Sequence, residues 1–234
     1  MKALSKISKL VCFVSVIFFG FSVSAQSIGE YGEKIRPLRI GVKVGFPNIV
    51  GGNVEYVTPL FNNRLAANVE YSNINFGFLS EFLSDDVEED NNSQDPDVKF
   101  SYFEGGLNYY LFKPGKGLYV GASFSSLNFD ATIYDYQPEM YGDVQSYEGT
   151  ADIDFTHNSF NLKLGAKLGG LFYFRPEVGY AFSSYPEDIE FDFTYNGETR
   201  RESESFDELF AADEAPQSLL FDGLIFNIGF GFSF

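Results

Sequence analysis

Leu224-Ile225-Phe226-Asn227-Ile228-Gly229-Phe230-Gly231-Phe232-Ser233-Phe234 alternates with a period of two to its last residue. Leu224, Phe226, Ile228, Phe230, Phe232 and Phe234 fall on one face of an extended strand. Ile225, Asn227, Gly229, Gly231 and Ser233 fall on the other. A water-soluble sandwich would turn the apolar face inward. Here the opposite face is so small and polar that the apolar face is expected to meet lipid.

Working back from this stretch, the same alternation predicts seven more strands. Phe172, Phe174, Val178, Tyr180 and Phe182 alternate with Tyr173, Arg175, Glu177, Gly179 and Ala181. Phe160, Leu162, Leu164, Ala166 and Leu168 alternate with Asn161, Lys163, Gly165 and Lys167. Leu118, Val120, Ala122 and Phe124 alternate with Tyr119, Gly121, Ser123 and Ser125. Phe103, Leu107, Tyr109 and Leu111 alternate with Glu104, Gly106, Asn108 and Tyr110. Leu65, Ala67, Val69 and Tyr71 alternate with Ala66, Asn68 and Glu70. Val54, Tyr56 and Leu60 are opposed by Glu55, with Pro59 interrupting the run. Leu38, Ile40, Val42, Val44 and Phe46 alternate with Arg39, Gly41, Lys43 and Gly45. The expected fold is all-β: an eight-stranded antiparallel up-and-down transmembrane β-barrel.

Connection lengths support that topology. Asn62-Asn63, Lys113 to Gly117 and Gly169-Gly170 read as tight turns, and a short connection is expected near Asn48 to Asn53. The remaining connections are long and polar. Short turns at one end and long loops at the other suit an outer-membrane barrel, and an even strand count puts both termini on the short-turn, periplasmic side.

The first 25 residues read as a secretory signal peptide. Lys2, Lys6 and Lys9 precede an apolar run from Leu10 to Phe21, and Val23-Ser24-Ala25 offers a small-residue cleavage site. The barrel domain is then 26–234. Cys12, the single cysteine, leaves with the signal.

The last eight residues resemble the C-terminal signal of bacterial outer-membrane β-barrels. Asn227, Gly229, Phe232 and Phe234 occupy its polar, glycine and two aromatic positions. The resemblance implies that the barrel assembly machinery reads this strand. As architecture it extends over the mature chain, in the manner of small eight-stranded barrels of the outer membrane protein A type. A peptidoglycan-binding domain after the last strand is not expected, so that family's anchoring role is not implied.

The inward faces collect ionisable groups of both signs: Arg39, Lys43, Lys163, Lys167 and Arg175 against Glu55, Glu70, Glu104 and Glu177. An eight-stranded interior is only wide enough for side chains, and charges held there need partners. A salt-bridged polar plug is expected. The alternative is a narrow porin-like path for ions or small solutes.

The net charge is -17, and loss of Lys2, Lys6 and Lys9 takes it to -20. Most of the 33 acids fall in three stretches read as loops, Ser80–Val98, Asp130–Asp154 and Pro186–Ser218, which together hold 26 of them. This excess argues against a nucleic-acid partner. It suggests a structural or surface-interaction role beside membrane lipid and lipopolysaccharide. Asp85-Asp86 and Glu88-Glu89-Asp90 offer hard oxygen ligands for Ca²⁺ or Mg²⁺ bridging, though without EF-hand spacing. Ser205-Phe206-Asp207-Glu208 matches a capping box for a short helix. No resident cofactor is implied, and one histidine excludes multi-histidine metal centres.

His157-x-Ser159 resembles the His-x-Ser of lipid A 3-O-deacylase barrels. That family's pattern then departs: Phe160 stands where Asn is typical, and Leu171 where a Glu is expected. Both His157 and Ser159 also share the inward register of Asn161 and Lys163. An enzyme is not expected.

Overall fold

The computed structural model describes residues 35–75, 97–136 (backbone only at 135 and 136), 149–183, 188–205 and 222–234. The expected signal peptide, the Asp85–Asp90 cluster and most of the capping box lie outside them. Ten strands and no helix occur among the described residues: β1 Leu38–Phe46, β2 Ile49–Val57, β3 Leu65–Asn75, β4 Asp97–Tyr110, β5 Gly117–Tyr136, β6 Gly149–Gly169, β7 Phe172–Ala181, β8 Asp188–Tyr195, β9 Glu198–Ser205 and β10 Leu224–Ser233. Neighbouring strands are antiparallel, in the order β5-β4-β3-β2-β1-β10-β7-β6, and β5 pairs with β6 to close the ring. The barrel is therefore eight-stranded and closed, with up-and-down connectivity, and β8 and β9 stand outside the ring.

The alternation places side chains as the pleat demands. Along β10, Ile225, Asn227, Gly229, Gly231 and Ser233 are buried, while Phe226, Phe230, Phe232 and Phe234 are exposed. Exposed apolar side chains recur around the wall, with Ile40, Val42 and Val44 on β1, Val120 and Phe124 on β5, and Leu162 and Leu164 on β6. Glycine makes room inside. A Cβ on Gly231 would lie 2.6 Å from the Gly41 Cα and 2.7 Å from the Tyr173 Oη. Tyr173 thus occupies the space that β1 and β10 leave by carrying glycine there.

Two expectations are corrected. The second strand lies N-terminal to its expected position: β2 spans Ile49–Val57, and Pro59 falls in the turn beyond it. Gly51, Gly52 and Asn53 are strand residues paired with Lys43, Val42 and Gly41, and the first turn is only Pro47-Asn48. Proline supplies no ladder donor, so the strand ends before it.

The second correction concerns the acidic loops. Asp130 lies on β5, Asp152 and Asp154 on β6, Asp188, Glu190 and Asp192 on β8, and Glu198, Glu202 and Glu204 on β9. β6 leaves β7 after the Asn161–Ala181 pair, yet stays paired with β5 to Gly149. This ribbon runs beyond the ring, and β8 joins its free edge through Thr150–Ile153. Asp130, Asp152, Asp154, Asp188, Glu190 and Asp192 occupy its solvent face, whereas Glu198, Glu202 and Glu204 on β9 pair with Tyr195, Phe191 and Ile189 and share their parity. The ribbon's other face carries Ala131, Ala151, Ile153, Ile189, Phe191 and Phe193, all buried together.

Candidate functional site: the barrel lumen

The lumen is filled in layers. At the short-turn end Tyr110, Tyr119, Val57 and Ala66 pack together with Ile35. The tyrosine rings lie 5.2 Å apart. Above them sits a layer of buried charges. Next come Ser125, Ser159 and Asn161. Phe100, Tyr102 and Leu127 form the top layer, against Ile49, Phe129 and Phe155.

The charge layer joins strands across the barrel. Glu55 on β2 accepts from four donors: Arg39 on β1, Tyr110 Oη at 2.9 Å, Asn108 Nδ2 at 2.8 Å and Arg175 Nη1 at 3.0 Å. Arg39 also donates to Tyr110 Oη at 2.6 Å and to the carbonyl of Gly115. Lys43 bridges Glu70 on β3 and Glu177 on β7. Arg175 approaches Glu177 at 3.1 Å and Glu70 at 3.6 Å. Lys163 on β6 pairs with Glu104 on β4 and stands 3.9 Å from Glu70. Tyr119 donates to Glu177, and Tyr102 to Glu104.

All nine ionisable residues named from the sequence are buried, and the ion pairs bring eight of them together. Lys167 stands apart. Its ammonium lies over the Tyr173 ring at 5.4 Å rather than against a carboxylate. The sequence reading missed the phenols of Tyr102, Tyr110 and Tyr119 as members of the network. Their parity with Glu104 on β4 and with Gly121 on β5 was the available signal.

The hydroxyl layer bears on catalysis. Ser159 donates to Asn161 Oδ1, lies 3.1 Å from Ser125 Oγ, and Asn161 Nδ2 donates to Ser125 Oγ at 2.9 Å. Ser159 Oγ thus sits in a hydroxyl–amide cluster with Asn161 and Ser125. His157 lines a small space at the end of the lumen away from the short turns, together with Tyr102, Ser125, Leu127 and Ser159. Among the described residues, no group of three His, Cys, Asp or Glu is placed to hold a metal ion.

Of the C-terminal motif, Asn227 and Gly229 face inward and Phe232 and Phe234 outward. Phe232 packs edge-on to Phe172 at 5.8 Å, and Asn227 pairs with Gly45 and Glu177 across its two ladders.

No protein-family model and no curated protein sequence matches the chain. Among solved structures it is similar to Acinetobacter baumannii CarO, at 17% identity over 86% of this chain and 100% of that one, with a TM-score of 0.45. Acinetobacter baumannii CarO2 follows at 12% identity, 86% and 100% coverage and a TM-score of 0.37. A major outer membrane protein from Thermus thermophilus has 12% identity, 84% and 98% coverage and a TM-score of 0.38. These scores carry no argument about activity, and the fold rests on the strand pairings: a closed eight-stranded antiparallel β-barrel.

Proposed function

We propose that this chain is an integral barrel of a bacterial outer membrane, with an occluded polar lumen and a structural or surface-interaction role. The supporting observation is an inversion of polarity along the wall. Up to Phe124 on β5 and Phe160 on β6, outward residues are apolar and inward residues polar or charged. Past the inward Ser125, Ser159 and His157, outward positions are Asn128, Asp130, Asp152, Asp154 and Thr156, and inward ones are Leu127, Phe129, Ala131, Ile153 and Phe155. A change of medium at that level accounts for the switch. On β6 the apolar outer stripe runs from Phe160 to Leu168. That is about 26 Å of strand at about 3.3 Å per residue, or about 20 Å of height at a tilt near 40°, close to the apolar band of such barrels.

The extended ribbon and the acidic connections then face outward, and both termini face the periplasm. Lipid, lipopolysaccharide, divalent cations at the acidic clusters and the assembly machinery reading the last strand belong to the same reading. The cross-lumen ion pairs favour a plug over a channel, because separating them leaves charges buried without partners. The Ser159–Asn161 bond favours a non-enzymatic reading over a His–Ser pair. Heat-modifiable mobility tests the barrel. Unboiled protein refolded into lipid vesicles is expected to migrate apart from the boiled sample on denaturing gels. A single unshifted band would overturn the reading.

A further inference from the structure

Among the described residues, the side-chain charge at the short-turn end is opposite to that of the chain as a whole. Residues 56–69, 105–129, 155–176 and 223–234 contain no Asp or Glu, although acids outnumber bases about twofold overall. The turn residues there carry Arg64, Lys113 and Lys116, and Arg36 precedes β1. Random placement would have put about twice as many acids as bases in the same turns.

The bases are held close to the wall. Arg64 Nη1, in the β2–β3 turn, donates to the carbonyl of Leu111 at 3.3 Å and so reaches the neighbouring β4–β5 turn. That turn is itself fixed from within, where Arg39 donates to Gly115. Arg36 Nη1 lies 3.6 Å from the position a Cβ would take on Gly170, in the third turn. At the same level, Phe61 and Phe112 are each 67% exposed, and Leu171 and Phe234 are also exposed. The β2–β3 and β4–β5 turns therefore each carry a cation and a large exposed apolar side chain, and Arg36 supplies a cation near the third turn with its exposed Leu171.

A soluble acidic partner would satisfy the cations and leave those rings in water. A headgroup layer takes both, since the rings enter the glycerol and acyl region while the cations meet phosphate. We propose that this basic aromatic collar binds the phosphodiester headgroups of anionic phospholipid, favouring them over zwitterionic lipid around the short-turn end. The proposal rests on the membrane-barrel reading, and its test separates the two.

The full mature chain is refolded into phosphatidylcholine vesicles holding trace spin-labelled phosphatidylglycerol or spin-labelled phosphatidylcholine. Electron paramagnetic resonance then measures the motionally restricted fraction of each label. Wild type is expected to hold phosphatidylglycerol about threefold more strongly than phosphatidylcholine, less than unscreened attraction to a single base would allow. The excess should fall in about 1 M salt, where screening is nearly complete, and approach unity in an Arg64→Gln/Lys113→Gln/Lys116→Gln variant. Should that variant not fold, Arg64→Gln and Lys116→Gln alone should each lower the excess. Equal restriction of both labels in wild type overturns the collar, as does an excess that survives the substitutions. Loss of the excess on adding soluble glycerophosphoglycerol at constant ionic strength also overturns it, because the bases would then prefer free phosphodiester. The same samples are checked for heat-modifiable mobility: a shift without lipid preference defeats the collar alone, and no shift defeats the barrel reading and the collar with it.

Discussion

Glu55 gathers four donors at one point in the lumen. Two guanidiniums, a phenol and an amide converge on it. Removing its carboxylate leaves Arg39 and Arg175 buried with one fewer counter-charge. Glu55→Ala is therefore expected to destabilise the refolded barrel by about 3–5 kcal/mol, read as a lower urea midpoint in lipid vesicles. An unchanged midpoint would show that water already solvates these guanidiniums. Glu55 was legible in the sequence because its parity opposes Val54 and Tyr56. The phenols were less so. A tyrosine on an inward face reads equally well as filler, and only the fold shows Tyr110 and Tyr119 over neighbouring strands with their hydroxyls on Glu55 and Glu177.

At the scale of elements, the ring strands were readable and the ribbon was not. Period two is plain where one face meets an apolar medium and the other a crowded interior. β8 shows the limit of reading by charge. Ile189, Phe191, Phe193 and Tyr195 alternate with Asp188, Glu190, Asp192 and Thr194, and Asn196-Gly197 is a hairpin turn signal. A count of acids alone makes the same stretch look like solvated loop. Its apolar face matters for stability, since Phe191 is 4% exposed within a cluster shared with β5 and β6. Phe191→Ala is expected to cost this cluster about 3–5 kcal/mol. Limited proteolysis should then cut faster between β7 and β10, while the heat-modifiable shift of the ring persists. Equal protection of variant and wild type would mean that the hairpin is not held by its apolar face.

For the whole molecule, the large acid excess and the aromatic content prove to be separate features. Aromatic and aliphatic side chains cover the wall. Paired bases and glutamates fill the lumen, and, among the described residues, lysines and arginines mark the short-turn end and acids dominate the far end. The polarity inversion sets the boundary between the zones. The sequence held this pattern in its residue parity, but the level of the boundary depends on the register between β5 and β6, which Phe124 facing Phe160 fixes. In the proposed reading the four lumen layers, aromatic, ionic, hydroxyl and apolar, fill an interior of this strand number without a continuous aqueous column. Planar-bilayer recording of the purified, refolded barrel reads that occlusion directly. A closed lumen gives a baseline without steady openings at moderate voltage. Steady, large unitary conductance from the folded barrel would contradict it and make the ion pairs a gate rather than a plug.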